Sequence, residues 1–278
     1  MEIYKKFPVT LSSEAENELK QIEGVERDVI VGDNVSEDGY KTKGVLILGL
    51  NPAGDETTAK EERETGYFYL YYVPRLYKVT RDKLTERTNG TYYGAIWDFV
   101  NRITKDNAKW DWQNYSQTTL ESLLRADPIN YSDEDIDEIL KFYHNRKDKE
   151  HDRKDKEYTI YIDDLFNYHK TKQSEFEKLI GLSNNVIWHS YIKNVLDSII
   201  YKYEKAGVDL KMIYVNNSFA SQLICGAING GNYATKIDYR LNGKTYHIFL
   251  GGMLSGGRAM DVFSRMRLEN EITDNKIF

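Results

Sequence analysis

Val45-Leu46-Ile47-Leu48-Gly49-Leu50 runs into Asn51-Pro52-Ala53-Gly54 with no charged or polar side chain before the asparagine. A stretch that is apolar at every position, rather than at alternate ones, is the pattern of a strand covered on both faces in a parallel sheet. Asn51 and Pro52 end it, so a carboxamide is presented at the carboxyl end of a buried strand, where open α/β sheets bind their ligands. The turn has neither the Gly-Lys-Ser/Thr of a P-loop nor the spaced glycines of a dinucleotide fingerprint.

Upstream, residues 1–43 hold a short helical candidate, Ser13 to Ile22, and turn-forming chemistry between Gly32 and Gly39. Downstream, Ala95, Ile96, Phe99, Val100 and Ile103 recur at helical spacing and predict a helix over Tyr92 to Thr104. Asp127-Pro128-Ile129-Asn130-Tyr131 reads as a strand end or loop, because proline restricts its neighbour and removes a donor. Trp188, Ile192, Val195, Leu196, Ile199, Ile200 and Tyr203 form a long apolar stripe stopped by Gly207, and Met212 to Val215 follow as a second buried strand. A helix over Ser218 to Ile224, a hairpin at Asn242-Gly243, a strand over Tyr246 to Leu250, a glycine-rich loop and a closing helix over Arg258 to Arg267 complete the chain. Asn217 stands where a helix N-cap is needed ahead of Phe219. Helices alternating with apolar strands predict an α/β fold, a three-layer α/β/α sandwich around a central, mainly parallel sheet.

The 278 residues fit a single domain spanning 1–278, and 40% hydrophobic with 29% charged residues is the balance of a chain able to bury a core. Residues 144–157 contain Arg-Lys-Asp-Lys-Glu twice and are read as a charged insertion, since such a segment has too little apolar surface to offset its ordering entropy. The single cysteine, Cys225, excludes a disulfide framework and a cysteine-held cluster, and a reducing cytoplasmic setting is expected. The five histidines are scattered without metal-ligand spacing, so no metal or cofactor is expected; His189 and His247 read as satisfied core or surface residues. No segment approaches the ~20 apolar residues of a membrane span. A formal charge of −6 argues against a broad basic surface for nucleic acid, so any such contact must be local.

The Gly49-Leu50-Asn51-Pro52-Ala53-Gly54 turn resembles the first motif of the uracil-DNA glycosylase superfamily, in the Gly-x-Asn-Pro-Gly form of its mismatch-specific and single-strand-selective branches. The resemblance puts Asn51 on the catalytic asparagine, with Gly49, Leu50 and Pro52 beside the substrate. Gly66-Tyr67-Phe68-Tyr69 is similar to the segment that stacks the base, so Tyr69 or Phe68, with Tyr67, would form that platform. Either Asn216, in Val215-Asn216-Asn217, or Asn130 would read the base edge. The last family motif, a His-Pro-Ser loop, corresponds here to Gly251 to Arg258 without histidine or proline. The resemblance implies that Gly252, Met253, Leu254, Ser255, Gly256, Gly257 and Arg258 touch DNA, with Met253-Leu254 as the wedge. Taken whole, it implies a uracil-DNA glycosylase-like fold and a monomeric, metal-independent DNA repair hydrolase. Such an enzyme flips a uracil-like, deaminated or modified base out of DNA and cleaves its N-glycosidic bond.

The chemistry of these residues fits that activity. Cleavage passes through an oxocarbenium-like sugar, which needs a held water and stabilisation of the departing base. Asn51 can orient the water but is no general base, so the leaving group must already be good. Two alternatives stay open: a non-catalytic nucleic-acid or nucleotide-binding protein on the same fold, and hydrolysis of a free nucleoside or nucleotide.

Overall fold

A computed structural model describes residues 42–50, 92–110, 157–166, 172–179, 188–257 and 259–278, together with positions 13, 121, 125, 132–134, 136–137 and 140–141. The expectations placed on Asn51, Pro52, Tyr67, Phe68, Tyr69, Asn130, Arg258 and residues 144–156 of the charged insertion lie outside the described residues.

The chain enters the sheet through β1 (Thr42–Gly49), whose last six residues are buried on both faces, as an all-apolar run demands. After it come α1 (Tyr92–Ile103), β2 (Ala108–Trp110), β3 (Tyr158–Asp164), α2 (Gln173–Leu179), α3 (His189–Lys205), β4 (Val208–Val215), α4 (Ser218–Asn229), β5 (Lys236–Leu241), β6 (Lys244–Leu250) and α5 (Val262–Asp274). The sheet order is β2-β3-β1-β4-β6-β5. Every pairing is parallel except β5 with β6. That hairpin turns at Asn242 and Gly243, with φ of 51° and 79°, the left-handed pair that Asn-Gly supplies at least cost.

The strand period of two sorts the core into two layers of side chains. Leu46, Leu48, Ile213, Val215 and Ile248 face α3 and α4, joining Ile192, Val195, Leu196, Leu223 and Ile224. Val45, Ile47, Met212, Tyr214 and Phe249 face the other way, against Ile96, Phe99 and Val100 of α1 and Leu268 and Ile272 of α5. The protein is therefore an α/β fold whose central mixed, mainly parallel sheet carries helices on both faces. Among the described residues, no helix is long and apolar enough to cross a membrane.

Several boundaries differ from those predicted, and three helix ends show why. Helix α4 continues to Asn229 and stops at Gly230, whose φ of 62° places it in the left-handed region. Helix α5 starts at Val262 rather than Arg258: Ala259 and Met260 donate backbone bonds to Gly256 and Met253, and Asp261 caps the helix by accepting from the Ser264 N–H. Helix α1 ends at Ile103; Thr104 bonds back to the Val100 carbonyl, and Lys105 and Asp106 adopt φ of 54° and 59°. Strands β2 and β3 have no counterpart in the predicted elements. Tyr158-Thr159-Ile160-Tyr161-Ile162 is rich in β-branched and aromatic residues, but it follows directly on the charged stretch that masked it.

Asn217 is the N-cap of α4, its Oδ1 accepting from the N–H groups of Phe219 and Ala220 at 2.9 and 3.0 Å. Asn217→Ala removes both bonds and lowers stability by about 1 kcal/mol. Urea unfolding should show this as a lower midpoint at unchanged slope.

Candidate functional site

Where the path of the chain diverges between adjacent parallel strands, a crevice opens at their carboxyl ends. From β1 the chain goes to the β2–β3 side of the sheet, and from β4 it goes to the β5–β6 side, so the divergence falls between β1 and β4. The residues there are Gly49 and Leu50 on one strand and Asn216 on the other, tied by the Asn216 N–H to the Leu48 carbonyl at 2.8 Å.

Strand register aligns four residues across this end of the sheet. Asp164 pairs with Gly49. One step beyond the last ladder pairs, Leu48 with Val215 and Val215 with Leu250, come Asn216 and Gly251. Asp164, Gly49, Asn216 and Gly251 thus form one row on the α1 face, and the space over its two glycines is taken by neighbouring polar side chains. A Cβ on Gly49 would lie 2.0 Å from the Asp164 Oδ1, so the carboxylate leans over the bare backbone of β1. A Cβ on Gly251 would lie 2.5 Å from the Tyr214 hydroxyl. Neither position accepts a side chain without displacing a polar group.

The two adjacent carboxylates of β3 have separate tasks because neighbouring strand residues point to opposite faces. Asp163, 2% exposed, faces α3 and forms an ion pair with Lys202, while its Oδ1 accepts the Asp164 N–H at 2.9 Å. Asp164, 7% exposed, faces α1 and the crevice.

Asn216, 3% exposed, is held in one orientation: its Oδ1 accepts the backbone N–H of Leu254 at 2.9 Å. The other end of the amide, Nδ2, is fully buried and has no hydrogen bond. A buried amide donor left unsatisfied costs about 1–3 kcal/mol, so this group is the least satisfied polar atom of the row. Tyr92, the first residue of α1, sits over the same row. Burial raises the affinity of its phenol for the proton, the Asp164 charge adds to this, and the Asn216 amide acts in the opposite sense. That opposing effect is a side-chain hydrogen-bond effect, so the Tyr92 phenol lies against the Asn216 amide even though Nδ2 meets no partner of ordinary hydrogen-bond geometry.

The loop after β6 is pinned beneath this row. The Tyr214 hydroxyl donates to the Gly252 carbonyl, the Ser221 hydroxyl to the Gly251 carbonyl at 2.7 Å, and the Leu254 N–H to Asn216. Leu254 and Ser255 are buried, Gly252 and Met253 are half-buried, and Gly256 and Gly257 are exposed. Leu254 packs with Phe99 and Tyr214, so of the residues assigned to the wedge only Met253 keeps accessible surface. Leu50 also points away from the row, into the core beneath α3, and its carbonyl accepts the Phe166 N–H at 2.9 Å.

Of the residues picked out in the sequence, the fold brings Gly49, Asn216 and Gly252 to Leu254 together. Asp164 and Tyr92 were not among them. The sequence signal for Asp164 was a carboxylate ending a β-branched and aromatic run; Tyr92 carried none beyond its place at a helix start. The histidines lie elsewhere: the His189 ring packs against Gly226, and His247 Nδ1 bonds Asp238 at 2.7 Å on the β5–β6 hairpin.

No protein-family model, curated protein or solved structure matches the chain.

Elsewhere, a cleft of about 420 Å³ lies at the amino end of β3 between Thr104 to Asn107, Glu157, Tyr158 and Phe278. Asn107 and Glu157 there already satisfy each other, through bonds of 2.9 and 3.3 Å. The switch-point row, with its unsatisfied donor, is therefore the stronger candidate.

Burial also raises the phenol of Tyr214, opposed by the Arg265 charge, and those of Tyr239 and Tyr246, where Asp197 and Glu204 add to the effect. A phenol that holds its proton more tightly when folded stabilises the protein fully below the unfolded value of about pH 10. That contribution is lost as pH rises from there through the folded value. Tyrosine ionisation, followed by ultraviolet difference absorbance, should be incomplete above pH 10 in the folded protein. It should finish only together with loss of the circular-dichroism signal.

Proposed function

We propose that the protein binds an extruded nucleobase over the Asp164–Gly49–Asn216 row and hydrolyses its N-glycosidic bond, as a DNA glycosylase-like enzyme with a uracil-DNA glycosylase-like fold. The observation that carries this reading is the buried, unsatisfied Nδ2 of Asn216 at the topological switch point, directly across from the strand that leads into Asn51. A base carbonyl or ring nitrogen is the acceptor that such a fixed donor would take, and the Tyr92 hydroxyl lies beside it. Asn216 is therefore preferred to Asn130 as the base-reading asparagine.

In the step itself, Asn51 holds a water against the anomeric carbon. The bond from that carbon to the base nitrogen breaks, its electron pair leaving with the base. The water oxygen bonds to the carbon, and one water proton passes to the base nitrogen. Asn216 Nδ2 contributes by donating to the base as negative charge builds on it. Tyr67, Phe68 or Tyr69 would complete the stack, and Gly256, Gly257 and Arg258 would approach the phosphate backbone.

The net charge of −6 favours a second reading, a non-catalytic protein that holds a nucleotide-like ligand in the same crevice.

Abasic-site formation on oligonucleotides bearing uracil, hypoxanthine, mismatched thymine and modified cytosines separates the two. Enzymatic function predicts release from at least one of them, with Asn51→Ala and Asn216→Ala each slowing it about 10²-fold or more. Release that survives Asn51→Ala unchanged would remove that residue from the mechanism. Binding without release from any substrate would select the second reading.

A further inference from the structure

The sheet ends at β5, which pairs with β6 on one side and, among the described residues, with no strand on the other. The Leu250 N–H donates to the Thr235 carbonyl at 2.8 Å, which makes 235 with 250 a bonded pair of this antiparallel ladder. Bonded and non-bonded pairs alternate, so Ile237, Tyr239 and Leu241 also turn their backbone N–H and carbonyl groups to β6. Lys236, Asp238 and Arg240 turn theirs outward, to a side where no strand meets them. Side chains alternate in the same way. Ile237 and Tyr239 are buried on the α3 side and Leu241 packs with them, whereas Lys236, Asp238 and Arg240 lie on the opposite face. Asp238 holds Lys236 at 3.0 Å and His247 at 2.7 Å while remaining 52% exposed, so its carboxylate still has accessible surface. Arg240 is exposed and, among the described residues, has no ionic partner.

We propose that β5 is the interface of a homodimer, in which the edges of two copies join antiparallel about a two-fold axis and continue the sheet from one subunit into the other, with Asp238 of each copy against Arg240 of the second. Outward groups bond one another only where Lys236, Asp238 and Arg240 face members of the same set. Placing Asp238 on Asp238 also sets Lys236 against Arg240, and placing Arg240 or Lys236 on itself opposes two cations; like charges directly opposite are destabilising. Lys236 against Asp238 is complementary, but it overlaps only residues 236–238 of each strand, and Lys236 is already engaged by Asp238 and by Asn275 at 2.8 Å. With Asp238 against Arg240, the overlap covers 237–241. An opposite-charge pair then stands on either side of the axis, each joined by two backbone bonds, while on the other face Tyr239 meets Tyr239 and Ile237 meets Leu241. The same charges that guard a free edge against indiscriminate pairing thus single out one register. The dimer departs from the single-chain enzyme that the likeness to glycosylases implies, and it does not depend on what the crevice binds.

Sedimentation velocity of the full chain over a concentration series reads the association directly. A reversible dimer is expected, weakened by added salt. Arg240→Asp makes both edge positions acidic and Asp238→Arg makes both basic, so each variant should lose self-affinity by at least about tenfold. An equimolar mixture of the two should regain it, as a dimer of one copy of each, because every cross-strand contact then joins opposite charges. Hydrogen exchange reads the register: the N–H groups of Asp238 and Arg240 should gain protection as concentration rises, while those of Ile237, Tyr239 and Leu241 stay protected throughout. Circular dichroism checks that the variants are folded. Should Asp238→Arg lose its fold along with its His247 contact, Arg240→Pro serves: it removes one outward N–H at an edge position, leaves the bonds to β6, and should weaken the dimer by the same order. A monomer at every concentration up to the solubility limit, whether its β5 edge stays open or takes up an extended peptide, overturns the inference. So does a dimer indifferent to the folded variants, or one whose added protection falls outside β5.

Discussion

The parallel pairing of β1 between β3 and β4 is the constraint on which the other features depend. β1 is buried on both faces, so its backbone groups have to be satisfied by strands on either side, and its side chains must serve two separate cores. The chain also leaves β1 and β4 in opposite directions, the arrangement at which open α/β sheets form their ligand crevices. The pairing brings Asp164 and Asn216, 52 residues apart in sequence, to either side of Gly49. Without the glycine, a side chain would collide with the Asp164 carboxylate and close the floor of the site.

Pleating then decides what each polar residue does. Asp163 and Asp164 are chemically the same and adjacent, yet one turns to α3 and is neutralised by Lys202, while the other turns to Tyr92 and the crevice. Asn216 and Asn217 divide in a comparable way. Asn217 satisfies the first N–H groups of α4, whereas Asn216 clamps the loop after β6 with one end of its amide and leaves the other end without a partner. Within each pair, one member supports the architecture and its neighbour carries polarity into the site. The loop from Gly251 to Gly257 takes its shape from the same set, through Tyr214, Ser221 and Asn216.

Much of this arrangement is legible along the chain because it depends on local pattern. The uninterrupted apolar run at Val45 to Leu50, the stripe from Trp188 to Tyr203, the Asn-Gly turn and the cap at Asn217 each express a rule that acts within a few residues. Periodicity and turn chemistry therefore determined the buried strands, the long helix, the hairpin and the α/β class. They also marked the end of β1 as the place to look for chemistry, whereas Asn216, alongside Asn130, came only from the resemblance to the glycosylase motifs. The start of α5 was misread because the backbone bonds between Met253, Gly256, Ala259 and Met260 belong to a loop closure that no helical period encodes. Strand β3 was missed because a short apolar segment beside a dense charge run has no signal of its own until a neighbouring strand buries it.

Only the tertiary structure decided that Asp164 faces Asn216 across Gly49, that Tyr92 lies over them, and that Leu254 is core rather than surface. Each of these depends on strand order and on register, in which a shift of one residue sends every side chain to the opposite face. Composition and spacing specify which residues can form a strand, but the partner of a strand is chosen by burial summed over the whole sheet. That choice placed Asp164 and Asn216 on either side of one glycine.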